Sequence, residues 1–212
     1  MARLRFFSGP MNSGKSTLAL QMAYNYRAAG RAGVLLTRMD RSGNPVIFSR
    51  LGVCATALEV TPDTDVLALV SAAVRPGGFV VADEAQFYTP AQVDDLGAVV
   101  DNLGVDVDAF GLLTDFTSHL FPGTGRLVEL ADELIRLQVV VLCWCGAPGV
   151  VNARLVGGAV VHTGDQIVVG DVGGTAPVHY QVLCRAHWRA GVAGPTVQAA
   201  GTGLGWGADP GR

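Results

Sequence analysis

The stretch LRFFSGPMNSGKSTLAL, residues 4–20, decides the fold. Leu4 to Phe7 is a short apolar run that predicts a strand. Ser16 to Ala29 then places Leu18, Met22 and Tyr26 at helical spacing, with Gly30 as a stop signal. Between them Gly9 to Ser16, GPMNSGKS, matches G-x-x-x-x-G-K-[ST] in the context that pattern requires, after a strand and before a helix. In such a loop, backbone N–H groups and the positive helix end cradle phosphates while the lysine reaches the β- and γ-phosphates. Gly9, Pro10, Met11, Asn12, Ser13, Gly14, Lys15 and Ser16 are therefore candidate ATP-binding residues, with Ser16 as a magnesium ligand.

Lys15 is the only lysine in the chain, against fourteen arginines. Wherever a generic positive charge is needed this sequence uses arginine. Lysine is a compact point charge on a flexible stem and enters the space between phosphates, where a planar forked guanidinium does not.

Outward from the loop, Val34 to Thr37, Phe79 to Ala82, Val107 to Leu112 and Val139 to Leu142 are apolar runs short enough for buried parallel strands. Helical patterns lie around Val66 to Val74, Gln92 to Leu103 and Arg126 to Leu137. The alternation predicts an α/β fold, a mostly parallel sheet with helices on both faces. After Leu142 the texture changes to short β-like runs, Ala159 to His162, Gln166 to Val169 and His179 to Leu183. These predict a compact, β-rich appendage. From Gly194 onward the glycine-rich sequence has no periodicity and reads as a tail.

The strand-end run FVVADEAQF, residues 79–87, brings two carboxylates beside the phosphate loop. A carboxylate there holds Mg²⁺ through its water shell, and a second takes a proton from the attacking nucleophile. Asp83 is assigned to magnesium and Glu84 to the catalytic base, with Ala85 and Gln86 completing the ATP-binding set. The alternative is a solvated acidic pair capping a helix. The letters DEAQ also occur in helicase-type ATPases, but the roughly 125 residues after Gln86 leave no room for a second motor half.

Cys143, Cys145, Cys184 and His187 form a late set of three cysteines and one histidine, two short ligand pairs joined by a β-like excursion. That pattern suits a closed tetrahedral structural zinc site, although C-x-C replaces the usual C-x-x-C; buried thiols and a surface histidine are the alternative. Cys54 stands outside the set and reads as a small core residue.

With 212 residues and 22.0 kDa, the chain suits one main domain with a small addition. No apolar run approaches the roughly 20 residues of a bilayer span, and MARLRFF lacks the apolar region of an export signal. A soluble, cytoplasmic protein is expected. A net charge of −3 without an Arg-rich block argues against nucleic acid as a partner.

GPMNSGKST, DEAQF and the cysteine-histidine set, in that order, resemble the zinc-containing, cellular type (type II) of thymidine kinase. FSRLG at 48–52, GLLTDF at 111–116, LADEL at 130–134 and CGAP at 145–148 match as well, so the resemblance covers roughly residues 3–190. It implies a P-loop, RecA-like kinase domain over residues 1–142 and a zinc-binding domain with a lasso-like loop over 143–190, and it leaves outside it residues 191–212, which the glycine-rich composition marks as a flexible tail. It further implies transfer of the ATP γ-phosphate to the 5′-hydroxyl of thymidine, with deoxyuridine as a second substrate, in pyrimidine salvage. A homotetramer, feedback inhibition by dTTP, Mg²⁺ with ATP and a structural Zn²⁺ belong to the same implication. No membrane partner does.

Carried over by position, Met11, Phe87, Leu112, Phe116 and Tyr180 line the nucleoside pocket, with Val168 and Gly170 near the base. Packing in the core or around the zinc site is each residue's plainer role. There are departures. Asn12 stands where the family usually has an aromatic residue. The segment after Phe116 reads TSHLF where a basic residue is usual, so His119, a more distant arginine or nothing replaces that charge. Arg154 and Arg41 are candidates for phosphate contacts, with surface roles as the alternative. A nucleotide-dependent switch or regulatory ATPase, with the zinc module as an interaction surface, is the competing function.

Overall fold

The computed structural model describes residues 1–38, 45–166 and 178–195. Along the chain, β1 (Leu4–Ser8) enters the glycine loop and α1 (Lys15–Ala28) leaves it. There follow β2 (Gly33–Thr37), a hairpin of β3 (Val46–Phe48) and β4 (Cys54–Thr56), and the short β5 (Leu58–Glu59). Then come α2 (Val66–Ala73), β6 (Phe79–Ala82), a single 3₁₀ turn over Ala85–Phe87, and α3 (Pro90–Leu103). The core closes with β7 (Asp106–Gly111), α4 (Pro122–Leu130) and β8 (Glu133–Arg136). The appendage consists of β9 (Val151–Val156), β10 (Ala159–Val161), β11 (Val178–Leu183) and α5 (Arg185–Ala190).

Six strands form one parallel sheet in the order β5-β2-β6-β7-β1-β8. Period-two alternation sorts its side chains. Leu4, Phe6, Leu36, Val80, Ala82, Val107 and Ala109 meet α2, α3 and α4, while Phe7, Leu35, Phe79, Val81 and Phe110 meet α1 and the hairpin. Both faces are covered, which is why the strands read as unbroken apolar runs. A partly buried ion pair, Arg5 of β1 with Asp108 of β7, interrupts them. Asp108 is fully buried on the α1 face, where the Arg5 guanidinium lies 2.7 Å from its carboxylate and the Tyr26 hydroxyl donates to it at 2.8 Å.

Local chemistry fixes the helix ends. Asp65 caps α2 by accepting from the Ala68 amide at 2.7 Å. Thr89 and Gln92 make a reciprocal capping box on α3, with Pro90 in its first turn and Gly104 ending it at φ 61°. Helix α1 differs: Gly14 at φ 80° precedes it and no described side chain caps it, which suits its first amides to a ligand.

The helix expected over Arg126 to Leu137 is two elements. Pro122 starts α4 earlier, Ala131 leaves it at ψ 136°, and residues 133–136 form edge strand β8. Tertiary pairing overrides helical spacing here: the Asp132 and Leu137 amides donate to the Leu4 and Ser8 carbonyls, and Glu133 pairs with Arg3. The strand expected over Val139 to Leu142 does not form. Val139, Val140 and Leu142 are exposed, and only Leu142 makes a bridge, to Pro148. Cys54, expected in the core, is exposed on β4.

β9, β10 and β11 make a separate antiparallel sheet in the order β10-β9-β11. Residues 167–177, which take in all of the expected Gln166 to Val169 run except Gln166 itself and most of the expected lasso-like loop, fall outside the described residues. No described helix is long and apolar enough to cross a membrane.

Candidate active site and metal centre

The phosphate loop lies at the end of β1. Asn12 adopts φ 68°, uncommon for a residue with a Cβ, and Gly14 repeats the left-handed turn into α1. Lys15 is buried, and its ammonium donates to the Gly9 carbonyl at 3.2 Å and the Pro10 carbonyl at 3.0 Å. Burial pushes its pKa down, Glu84 and Asp83 pull it up, and Arg50 pushes it down again. A buried cation held by neutral carbonyls suits an arriving anion. Ser13 fits as well: its hydroxyl is buried in the same loop with no hydrogen-bond partner among the described residues.

Ser16 donates to Asp83 at 2.8 Å, joining the first turn of α1 to the end of β6. The Asp83 carboxyl is pushed up to about 6, first by burial and then by the negative Glu84, against the Ser16 hydroxyl, the Glu84 amide and Lys15. A buried carboxylate that is costly to ionise and touches a serine hydroxyl suits a bound cation.

Glu84 follows at φ 53°, another left-handed non-glycine position, of the kind that clusters at functional sites. The Gln86 amide donates to the Glu84 carboxylate and accepts from the Leu112 amide at 3.0 Å.

A cleft of about 1140 Å³ runs over these groups. Met11, Asn12, Ser13, Gly14, Lys15, Ser16, Glu84 and Gln86 line it, together with Phe87, Leu112, Phe116 and Tyr180. One cavity therefore brings the phosphate loop, an acidic group and the expected nucleoside wall together. Gly9 and Pro10 instead line a second cavity of about 660 Å³. Asp83 and Ala85 are buried beneath the cleft, Ala85 in the core with its side chain. Val168, Gly170 and Arg41 lie outside the described residues.

Three cleft features were not foreseen from sequence. Arg50 and Arg38 line it, and the Arg50 turn is seated on α1 by a short hydrogen bond between Ser49 and Thr17. The FSRLG match was a signal for this turn. Asn152 of β9 accepts from the Met11 amide at 2.7 Å, tying the appendage to the phosphate loop. Arg154, a candidate for a phosphate contact, has another task. It is buried, with its guanidinium 3.7 Å above the Phe116 ring, and donates to the Tyr180 hydroxyl at 3.0 Å and to the Asp165 and Gln166 carbonyls at 2.7 and 3.0 Å. Three of its five N–H donors are taken up by Tyr180 and the base of the appendage loop. His119 is exposed, bonded to Thr117, and does not line the cleft.

Cys143, Cys145, Cys184 and His187 meet in the appendage, their ligand atoms all within 4.8 Å of one another. The Cys143 and Cys184 sulfurs lie 3.5 and 3.4 Å from His187 Nδ1, and Cys145 and Cys184 sulfurs are 4.0 Å apart. Tetrahedral zinc with Zn–S of about 2.3 Å places sulfurs about 3.8 Å apart and sulfur about 3.5 Å from nitrogen. The donor set fits the ion, C-x-C spacing included. Burial pushes the Cys143 thiol up, but the Cys145 and Cys184 amides and His187 bring it down to about 6, toward the thiolate a metal needs. Helix α5 is tied to a cleft-lining residue, since the Trp188 indole donates to the Phe116 carbonyl at 3.0 Å.

The sequence is similar to those of known proteins. The family model described as thymidine kinase matches residues 2–188. A thymidine kinase of Streptomyces coelicolor is 52% identical over 204 residues, and one of Cutibacterium acnes is 49% identical over 202, each match covering 94% of both chains. A thymidine kinase of Rhizobium etli is 42% identical over 194 residues, covering 89% of this chain and 94% of its own.

Proposed function

The chain belongs to the thymidine kinase family, and on that premise we propose a mechanism in which Glu84 is the general base that deprotonates the nucleoside 5′-hydroxyl. Thymidine and ATP are the substrates that the family implies, and deoxyuridine is proposed as a second acceptor. In the reaction the 5′-O–H bond breaks and its proton passes to the Glu84 carboxylate. The oxygen forms a bond to the γ-phosphorus, and the bond from that phosphorus to the β–γ bridging oxygen breaks, releasing ADP. The observation that carries this reading is the shared cleft, where Lys15, Ser16 and Glu84 line the same wall system as Met11, Phe87, Leu112, Phe116 and Tyr180.

Each group has a task. The loop amides and Lys15 hold the β- and γ-phosphates, and Phe87, Leu112, Phe116 and Tyr180 exclude water around the nucleoside. Ser16 and Asp83 would hold magnesium, which neutralises phosphate charge when bound. Zinc on Cys143, Cys145, Cys184 and His187 would be coordinatively closed and purely structural. Residues 1–142 act as the kinase unit and 143–190 as the zinc-bearing lid, with Val168 and Gly170 near the base and 191–212 as a tail. Assembly as a homotetramer, inhibition by dTTP and a cytoplasmic location complete the reading.

The test measures ATP consumption with each of the four deoxynucleosides. Consumption should follow added thymidine. Glu84→Gln should keep thymidine and ATP binding and lower turnover by about 10²–10⁴-fold, because a carboxamide cannot take the proton. Near-normal turnover of that variant removes Glu84 as the base.

A further inference from the structure

Gln86 is 1% exposed and its side chain has two partners, one at each end of the amide. The Leu112 amide is a donor, so the oxygen of Gln86 must face it. The NH₂ group then has to face Glu84, and it finds a carboxylate oxygen there. The orientation is thus fixed by chemistry. Leu112 is held from its other side too, since the buried Thr124 hydroxyl donates to its carbonyl at 2.8 Å.

The neighbouring backbone leaves room for this amide. A Cβ on Gly111 would lie 2.8 Å from the Gln86 Oε1 and 3.1 Å from the backbone nitrogen of Gln86. At Gly123, in the first turn of α4, a Cβ would strike the carbonyls of Tyr88, Ala85 and Gln86. The 3₁₀ turn that follows Glu84, the end of β7 and the start of α4 therefore pack as one unit, too close for side chains at two glycines.

We propose that Gln86 is a positioning residue that fixes the Glu84 carboxylate against the end of β7, so that the base and the Leu112 wall of the nucleoside pocket are held in one register. This rests on the reading of Glu84 as the base. Glu84 leaves β6 through a left-handed turn and is half-buried in an open cleft, and its only described side-chain hydrogen-bond partner is Gln86. Without that amide the carboxylate has several rotamers and one productive one.

The experiment is a kinetic cycle over Glu84→Gln, Gln86→Met and the double variant, with Gly111→Ala as an independent perturbation that displaces the Gln86 oxygen. Gln86→Met should lower kcat about 10–100-fold while the KM values for ATP and thymidine stay within about threefold. In the Glu84→Gln background the same substitution should change kcat by less than about twofold, because Gln86 acts through the carboxylate that is already gone. Gly111→Ala should lower kcat in the wild type and add little to Gln86→Met. If Gln86→Met lowers kcat by the same factor with and without Glu84, or raises both KM values in step, the positioning role is overturned. If Gln86→Met does not fold, the cycle over Gly111→Ala and Glu84→Gln tests the same coupling, and equal losses with and without Glu84 overturn the role there too. Failure of the base reading looks different, since Glu84→Gln by itself would then be near-normal.

Discussion

Replacing Arg154 by methionine separates the appendage loop from the cleft while keeping most of the apolar stem over Phe116. The substitution removes three hydrogen bonds, to the Tyr180 hydroxyl and to the Asp165 and Gln166 carbonyls, from a residue only 3% exposed. Asp165 is exposed and Gln166 half-buried, so their carbonyls turn partly to water and each lost bond is worth about 1 kcal/mol. The sum is about 3 kcal/mol. Gln166 lines the cleft and donates to Asp115 at 2.9 Å, so this loss falls on the segment beside the proposed nucleoside pocket. If all of it must be supplied by binding, the thymidine Kd rises by up to about 150-fold. Isothermal titration of thymidine and of ATP reads both sides. ATP affinity should stay within about threefold, and zinc content should not change, since no described hydrogen bond joins Arg154 to any of the four ligands. A thymidine Kd within about threefold of wild type, or an equal loss for ATP, would refute the reasoning.

Cys184→Ser should lose the zinc, read as one ion per chain in the wild type by elemental analysis, and should weaken thymidine binding more than ATP binding. The link is α5, whose Trp188 holds the Phe116 carbonyl; metal-free wild type with normal thymidine affinity would sink this. Lys15→Arg should raise the ATP Kd or lower kcat by about tenfold or more, because a forked guanidinium does not fit where the ammonium sits between the Gly9 and Pro10 carbonyls. A fully active variant overturns that. Asp83→Asn should abolish activity yet raise the melting temperature of the ligand-free protein at pH 8. The Asp83 carboxyl, pushed up to about 6 by burial and then by Glu84, contributes stability that is present below its unfolded value and lost as pH rises through about 6. The gain from the amide is therefore up to about 3 kcal/mol at pH 8 and fades toward pH 4; calorimetry showing equal gains at both values would contradict it.

Several elements were written locally. The phosphate loop, the strand-end DEAQF and the cysteine-histidine pairs each carry their chemistry within a few residues, so spacing alone points to them. Strands buried on both faces read as apolar runs, and the caps of α2 and α3 lie in their own first turns. The errors have a common cause. Residues 133–136 have helical spacing, yet they pair with β1 because Leu4 and Ser8 on that strand offer carbonyls to an edge, and sequence does not say which edge is open. Cys54 and Val139 to Leu142 looked buried because apolarity is local, whereas burial depends on what packs above. Arg154 shows the limit most clearly. Its charge suggested a phosphate, but its acceptors are Tyr180, Asp165 and Gln166, and only the pairing of β9 with β11 sets it beside Tyr180. The sequence by itself determined the loop chemistry, the donor set for a metal and the α/β layering, since each follows from residues close along the chain. Only the tertiary structure decided that Gln86 spans from Glu84 to Leu112 and that Arg154 and Trp188 bind the appendage to the cleft, because contacts between distant segments depend on sheet order and packing rather than on spacing.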